Sequence, residues 1–255
     1  MLRDSVLIFR REWSQSVRNP AWIGIGILQP VLYLVFFGPL MVKIVGSTPG
    51  FPAGTAWQIL TPALLVQLGL FGSSFAGFTV LAELRLGVIE RLRVTPISRM
   101  ALLLGKVANN ALQTLLQGIL IVVLAVLIFG LRAPLGGIVL ALIMIALVAI
   151  TLASCSYAIA LRLKSEQAFP ALLNAILLPT LLLAGILIPI TEGLAPKWLY
   201  VISQINPFRH VMDAERASFR GDLAAQGMLT GSLVLVAMAA LALWWGARTF
   251  ARENA

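Results

Sequence analysis

The residue types that most often carry out chemistry in proteins are scarce in this sequence. It contains one histidine, His210, and one cysteine, Cys155, which lies within an apolar run. A zinc site normally needs three or four such ligands, so no ordinary metal centre is expected. The phosphate-binding motif G-x-x-x-x-G-K-[ST] is missing, as are the hydrolase motifs G-x-S-x-G and H-E-x-x-H. The sequence therefore predicts no catalytic residue, no metal ligand and no cofactor bound by this chain.

Charged residues instead cluster in one segment, residues 81–106, which reads LAELRLGVIERLRVTPISRMALLLGK. An apolar stripe at helical spacing consists of Leu81, Leu84, Val88 and Leu92. Thr95 suits a helix N-cap and Pro96 suits the first position of the next helix. The pattern favours a short charged helix, a sharp bend and a second helix. A solvated surface loop is the alternative, since charge runs are often solvated.

The elements that hold this segment must be membrane helices, because the composition excludes a soluble globular protein. Of the 255 residues, 60% are hydrophobic and 11% are charged, against about 25% charged in soluble domains. Helices that span a bilayer need roughly 20 mostly apolar residues. Six stretches qualify, at about residues 22–42, 57–81, 107–129, 136–161, 169–190 and 228–247. The predicted fold class is an all-α polytopic membrane protein with six transmembrane helices, folded as one domain over residues 21–255.

The basic residues predict how these helices are oriented. The net charge is +9, and in so apolar a chain a basic excess is more typical of lipid contact and membrane orientation than of nucleic-acid binding. If the N terminus is cytoplasmic, most of the 19 basic residues fall in cytoplasmic segments. We therefore expect a multi-pass protein of the cell (inner or plasma) membrane with both termini in the cytoplasm, and no nucleic-acid partner.

Residues 1–20 precede the first span and predict a separate cytoplasmic amphipathic helix. Its apolar stripe at helical spacing consists of Leu2, Val6, Phe9, Trp13 and Val17. Such a helix should lie in the membrane interface, and Asn19-Pro20 should end it. It is either a simple orienting anchor or a contact for a cytoplasmic partner, and the two roles are compatible.

Residues 191–227 form the longest segment predicted on the outer side. Asn206 is placed to cap a helix that has Pro207 at its first position. Arg209, Asp213 and Arg216 then follow at helical spacing, which predicts exposed ion pairs on one helix face. The alternative is an ordinary interfacial loop, because amphipathic interfacial helices are common.

Polar side chains inside the predicted spans are few. Those that could line a translocation path for an amphiphile are Gln67, Ser73, Ser74, Asn174 and Thr180. They could equally form hydrogen bonds between helices, and we favour that interpretation because serine and threonine can also bond to their own backbone. Gly69, Ser73 and Gly77 recur every four residues and predict a face for close helix contact. No acidic or basic residue lies near the centre of a span, which argues against an ion-coupled pump.

The run from Glu83 to Ser98, followed by Leu104-Gly105-Lys106, resembles the signature of ABC type-2 exporter permeases, most of all the daunorubicin-resistance type of drug-export permease. The similarity extends over essentially the whole chain, including Asn206-Pro207-Phe208-Arg209 and Asp213. It implies that residues 82–98 form a cytoplasmic coupling helix that docks on an ATPase subunit. The contact residues implied there are Glu83, Gly87, Glu90, Arg91, Thr95 and Pro96. It also implies that 191–227 forms short re-entrant helices that close the exit, with Asn206, Pro207, Arg209 and Asp213 at an outer gate.

The function that this resemblance implies is that of a non-catalytic permease subunit. Two copies, or this chain and a homologue, would pair in the lipid and work with two copies of a cytoplasmic ATPase, which binds the ATP and magnesium. The expected cargo is a hydrophobic or amphipathic compound, above all a drug or antibiotic. Alternatives are a polysaccharide or glycolipid exporter and, less favoured, an ion-coupled carrier. A membrane enzyme acting on lipids fits least, because the spans carry no acid, base or metal ligand.

Overall fold

The computed structural model describes residues 2–18, 21–45, 48, 51–88 and 98–253, and it assigns helices and no strand within these ranges. The helices, in chain order, are α1 Leu2–Arg18, α2 Ala21–Val45, α3 Ala56–Ser74, α4 Gly77–Arg85, α5 Arg99–Leu127, α6 Leu135–Leu163, α7 Ala168–Leu183, α8 Lys197–Ile205, α9 Pro207–Arg220 and α10 Gln226–Glu253. The predicted all-α class is confirmed for these residues.

Five helical stretches among the described residues are long and apolar enough to cross a membrane. They are Gly24–Val45, Ala56–Arg85, Arg99–Leu127, Leu135–Leu163 and Gln226–Ala251. The sixth predicted span, residues 169–190, contains the shorter helix α7 of 16 residues, which is about 24 Å long at the usual helical rise. The helix ends early because Gly185 has a φ of +66°, a left-handed conformation that terminates helices. The expected continuous helix over 169–190 is therefore wrong in its second part.

One end of the helix bundle, which we call the α1 end, gathers both terminal helices. Lys106 of α5 contacts Glu12 of α1 and Glu83 of α4 there. The last helix also finishes at this end, because Arg99 Nη1 donates a hydrogen bond of 2.8 Å to the carbonyl oxygen of Ala251. Helices α1 and α10 therefore bring the two terminal regions of the chain to the same end of the bundle.

The opposite end, which we call the α9 end, is formed by α9 and the helix ends around it. Gly137, near the start of α6, packs directly on the backbone of Ser218 in α9. Helix α7 connects the two ends. Glu166, just before α7, pairs with Arg85 at 3.5 Å, while the carbonyl oxygen of Thr180 in α7 accepts a hydrogen bond from Asn206 at the start of α9.

Helix α1 packs on α5 through a face that is mostly polar. Ile8 is buried in the core, and Glu12 and Ser16 follow it at steps of four residues and bond to side chains of α5. The predicted apolar stripe is only partly covered by the protein. Val6 and Val17 are 54% and 57% exposed, whereas Phe9 and Trp13 are half-buried. Contact with α5 therefore buries only part of the apolar stripe of α1.

The second predicted span is broken between α3 and α4. The Ser156 hydroxyl of α6 donates to the carbonyl oxygen of Ser74 and accepts a 2.8 Å bond from the amide of Gly77. These bonds replace intrahelical bonds at the break. A Cβ at Gly77 would lie 2.7 Å from the carbonyl oxygen of Ser156, and one at Gly69 would lie 2.6 Å from Ile145. The small residues thus bring α3 and α4 close to α6, as the sequence predicts.

We expect Ser156→Ala to destabilise the fold by about 1–3 kcal/mol, because it leaves a buried carbonyl and a buried amide without a partner. The measurement is thermal unfolding of the purified chain in detergent. Ser154→Ala is the matched control, since the Ser154 hydroxyl only bonds to the carbonyl oxygen of Ile150 in its own helix. Equal stability of the two variants would contradict the role of Ser156 at the break.

Candidate functional site

A buried lysine joins three helices at the α1 end. Lys106 Nζ lies 3.1 Å from Glu12 Oε1 and 2.9 Å from Glu83 Oε1, and its side chain is 1% exposed. Both carboxylates are also largely buried. A charge is expensive to remove from water unless it is paired, so each member of this lysine network depends on the others. The network fixes α1 and the last turn of α4 to the same point of α5.

The contact between α1 and α5 is close as well as ionic. A Cβ at Gly105 would lie 2.6 Å from Ile8 Cγ2 and 3.0 Å from the backbone nitrogen of Phe9. Gln113, two turns further along α5, donates a 2.6 Å hydrogen bond to the Ser16 hydroxyl. Glycine is thus needed at 105 for the carboxylate of Glu12 to reach Lys106.

Two of the six residues implied in ATPase contact are described by the structure. Glu83 is turned inward to Lys106, so its carboxylate positions α4 and is not on the outer surface. Gly87 follows the end of α4 with a φ of +67°, a conformation that side-chain-bearing residues rarely adopt. The predicted residues Glu90, Arg91, Thr95 and Pro96 lie outside the described residues. The lysine network therefore holds the helix that leads directly into the predicted coupling segment.

A cavity of about 470 Å³ lies between α2, α3 and α5 towards the α1 end. Its polar lining consists of Gln29, Gln67, Asn110, Gln113, Thr114 and Gln117. Gln67 is 6% exposed. Its Oε1 and the Oδ1 of Asn110 have no hydrogen-bond partner. A buried acceptor without a partner is costly. Both residues line the cavity, but these two oxygens are themselves enclosed by protein.

The other predicted pathway residues, Ser73, Ser74, Asn174 and Thr180, are not part of the cavity lining. Ser73 is buried behind it and its hydroxyl lies 3.4 Å from that of Thr114. Ser74 is buried at the break between α3 and α4. Asn174 is exposed on α7, and the Thr180 hydroxyl donates to the carbonyl oxygen of Ile176 in the same helix. The structure thus brings Gln67 and Ser73 near one another and leaves Asn174 and Thr180 on a separate helix.

Helix α9 begins as the sequence predicts and is tied to α7. Asn206 Oδ1 accepts from the backbone amide of Phe208 at 3.1 Å, with Pro207 in the first turn. Asn206 Nδ2 donates to the carbonyl oxygen of Thr180 at 2.8 Å. One side chain therefore caps α9 and fixes the last turns of α7 against it.

The arginine stripe of α9 is largely buried. Arg209 lies 4.8 Å from the Tyr200 ring, contacts the Ser203 hydroxyl, and has its Nε 3.8 Å from Asp213 Oδ2. Arg216 is 4% exposed and donates to the carbonyl oxygen of Gly185; burial lowers its pKa to about 10. The structure shows the predicted pair of Arg209 with Asp213. The expectation that the arginines are exposed is wrong, because α9 is packed among other helices and does not lie free on the surface.

Glu215 is a buried acid that the sequence interpretation missed. It is 0% exposed and neither carboxyl oxygen has a hydrogen-bond partner. Burial disfavours the charged form and raises the pKa of this carboxyl well above its usual value. A signal was present, because Glu215 falls four residues after Val211 and four before Phe219, on the apolar face of α9.

We expect Glu215→Gln to flatten the dependence of thermal stability on pH. The folded chain keeps the proton of Glu215 to a higher pH than the unfolded chain, so stability falls as the pH rises above the ordinary carboxyl pKa. Glutamine needs no proton, so its melting temperature should fall less between about pH 6 and pH 8. Glu192→Gln, at an exposed position, is the control. An unchanged pH slope in Glu215→Gln would contradict a buried neutral carboxyl.

No group of three or more histidine, cysteine, aspartate or glutamate side chains is arranged to hold a metal ion in the part of the chain that the structure describes. His210 instead has its Nε2 3.1 Å from the carbonyl oxygen of Gln204.

Known proteins are similar in sequence to this chain. The profile of a protein family described as ABC-2 type transporter matches residues 4–219. A protein of Cyanophora paradoxa named as a transport permease, ycf38, is 24% identical over 216 residues, which cover 84% of this chain and 73% of that protein. The protein of the same name from Porphyra purpurea is 26% identical over 221 residues, 85% of this chain and 74% of its own. The family match includes the lysine network, the cavity and the arginine stripe of α9.

Proposed function

This chain belongs to the ABC-2 type transporter family, and we propose that it uses the ATP of a separate cytoplasmic ATPase to export a hydrophobic or amphipathic compound. Its role in that family is that of a non-catalytic membrane permease. The partner ATPase, in two copies, would bind ATP and magnesium, and this chain would bind neither. A drug or antibiotic is the cargo that we favour, and a polysaccharide or glycolipid is the alternative.

The observation that carries this proposal is the lysine network at the α1 end. The predicted coupling segment, residues 82–98, begins in the last turn of α4. There Glu83 pairs with Lys106 of α5, and Lys106 also pairs with Glu12 of α1. A push on residues 82–98 would reach two further helices through buried ionic contacts. Such a rigid connection is what a permease needs if closure of the ATPase is to change the helices of the membrane domain.

Six membrane crossings with both termini in the cytoplasm form the second part of the proposal. Helices α1 and α10 end on the same side of the bundle, which requires an even number of crossings. The five long helices supply five, and α7 would supply the sixth with the apolar residues 184–190 that follow it. Helix α1 exposes Arg3, Arg10 and Arg18 together with Val6 and Val17 of its apolar stripe, which supports placing it at a cytoplasmic membrane interface.

A second copy of this chain, or a homologue, would complete the pathway. Asn174 is exposed on α7 and Gln29 is exposed on α2, both within otherwise apolar helices. Lipid cannot satisfy such amides, whereas a partner chain or a water-filled path can. The path would then include Gln67, Ser73, Ser74, Asn174 and Thr180, and the outer gate would be the part of α9 with Asn206, Pro207, Arg209 and Asp213.

We expect Gly87→Trp to lower the stimulation of the partner ATPase by this chain about tenfold, within the usual range of coupling free energies. Tryptophan would have to adopt a φ near +67° within the coupling segment. The measurement is ATP hydrolysis by the co-purified complex in proteoliposomes. A companion variant is Glu90→Ala, which removes one implied contact and should also reduce stimulation.

The control for this experiment is Gly130→Trp. Gly130 has a φ of +66°, and a Cβ there meets no atom within 4 Å. It carries the same kind of backbone strain but lies in the loop after α5, away from the α1 end. If Gly87→Trp and Glu90→Ala leave stimulation normal, or if the chain transports its cargo without an ATPase, the proposed function is wrong.

A further inference from the structure

Two arginines lie on neighbouring tryptophan rings where α6 and α10 reach the α1 end. The guanidinium carbon of Arg162 is 5.4 Å from the centre of the Trp245 ring, and that of Arg248 is 5.4 Å from the centre of the Trp244 ring. We propose that this tryptophan–arginine surface binds the phosphate group of an anionic phospholipid in the leaflet at the α1 end. The proposal goes beyond the proposed function, because neither a cargo nor an ATPase enters the argument.

The tryptophan–arginine surface lies at the depth of a lipid headgroup. An exposed apolar stripe at helical spacing runs along α10 and includes Leu229, Leu233, Val236 and Trp244. Arg248 follows Trp244 by one turn and comes twelve residues after Val236, a distance of about 18 Å along the helix. Half of the hydrocarbon core of a bilayer is about 15 Å thick. A lipid whose phosphate is at Arg248 can therefore lay an acyl chain along this stripe.

The side chains at the α1 end of this stripe are those that favour a phosphate at the membrane interface. Tryptophan is enriched at the level of the headgroups. A guanidinium that stacks on an aromatic ring keeps its N–H groups at the edge of its plane, where they can donate to a phosphate oxygen in pairs. The two arginines come from different helices, α6 and α10, so a bound headgroup would lie against both of them.

The positive charge of this surface is not balanced within the protein. Arg162 and Arg248 are both exposed, and neither has an acidic partner in the part of the chain that the structure describes. Glu166, one helical turn after Arg162, pairs with Arg85 instead. An anionic headgroup supplies the missing negative charge, and attraction of this kind is worth several-fold in affinity for each basic residue at a membrane surface.

A second copy of this chain fits this surface less well than a lipid does. In a two-fold dimer the same surface of both copies meets, so the arginines of one copy would face those of the other. Like charges that face each other across an interface cost free energy. The exposed amides proposed above to face a second copy, Gln29 and Asn174, lie on α2 and α7 and not on α10.

The test is photolabelling of the full chain in phosphatidylcholine nanodiscs, without ATPase or nucleotide. Two probe lipids carry a diazirine at the end of one acyl chain and differ only in their headgroups, phosphatidylglycerol and phosphatidylcholine. Labelled residues are identified by mass spectrometry. We expect the phosphatidylglycerol probe to label α10 around Val236 about 25-fold more than the phosphatidylcholine probe at equal concentration, because each of the two arginines should contribute about fivefold.

Variants of the two arginines test whether they cause this preference. Arg162→Gln and Arg248→Gln should each lower the labelling ratio at α10 about fivefold, and the double variant should bring it close to one. Arg132→Gln is the matched control, because Arg132 is exposed in the loop between α5 and α6, away from the α1 end. Melting temperatures should be similar for all of these variants, since each replaces an exposed side chain.

Three results would overturn the proposal. The first is equal labelling of α10 by the two probes in the unaltered chain, which would mean that the headgroup charge has no effect. The second is an unchanged labelling ratio in the double variant, which would assign the preference to other residues. The third is the absence of label from α10 with both probes, which would mean that a second copy or another protein covers the apolar stripe of α10.

Discussion

Lys106→Met is expected to lower the free energy of unfolding by about 3–5 kcal/mol, the usual cost of removing one member of a buried ionic contact. Methionine fills the space of the lysine stem but leaves the carboxylates of Glu12 and Glu83 facing each other with no cation between them. The expected results are a lower melting temperature in detergent and less folded protein in the membrane. Lys197→Met is the control, since Lys197 is exposed at the start of α8.

A triple variant separates the charge of the network from its packing. Glu12→Gln, Glu83→Gln and Lys106→Met together leave no buried charge, so this chain should recover most of the stability that Lys106→Met loses. If Lys106→Met alone is as stable as Lys197→Met, the lysine network does not hold α1 and α4 to α5. If the triple variant stays as unstable as the single one, the loss comes from packing and the electrostatic explanation fails.

Much of the fold could be predicted from apolar length, because lipid permits few alternatives to helices. Five predicted spans agree with long apolar helices, and the cap at Asn206 with Pro207 was readable from local chemistry. The early end of α7 and the break before Gly77 could not be predicted from the sequence. Both depend on backbone conformation or on partners distant in sequence. The Ser156 hydroxyl, for example, accepts a hydrogen bond from the amide of Gly77, 79 residues away.

The candidate site was less predictable for the same reason. Lys106 and Glu12 are 94 residues apart, and no local spacing indicates that they meet. The sequence pattern of α1 indicated its apolar stripe as the contact face, but its polar face, with Glu12 and Ser16, bonds to α5. Conversely, Glu83 was singled out by resemblance for contact with another protein, while its carboxylate lies inside this one. Sequence patterns identify faces of helices, but they do not say which face the rest of the chain will use.

The second large effect is expected at the α9 end, for Gly137→Ala. A Cβ at this position would overlap the backbone carbonyl oxygen of Ser218 and would also lie 3.3 Å from Pro134 Cγ. A backbone atom cannot move aside as a side chain can, so α9 would have to shift away from α6. We expect a loss of at least about 3 kcal/mol, the upper part of the usual range for overpacking.

The neighbouring Gly136 provides a matched control for this prediction. A Cβ at Gly136 meets no atom within 4 Å, so Gly136→Ala should be neutral or stabilising, by up to about 1 kcal/mol, because alanine favours the helix. The same one-carbon change at adjacent positions of α6 should therefore have opposite signs in thermal unfolding. Similar melting temperatures for the two variants would mean that α9 does not pack on α6 at Ser218.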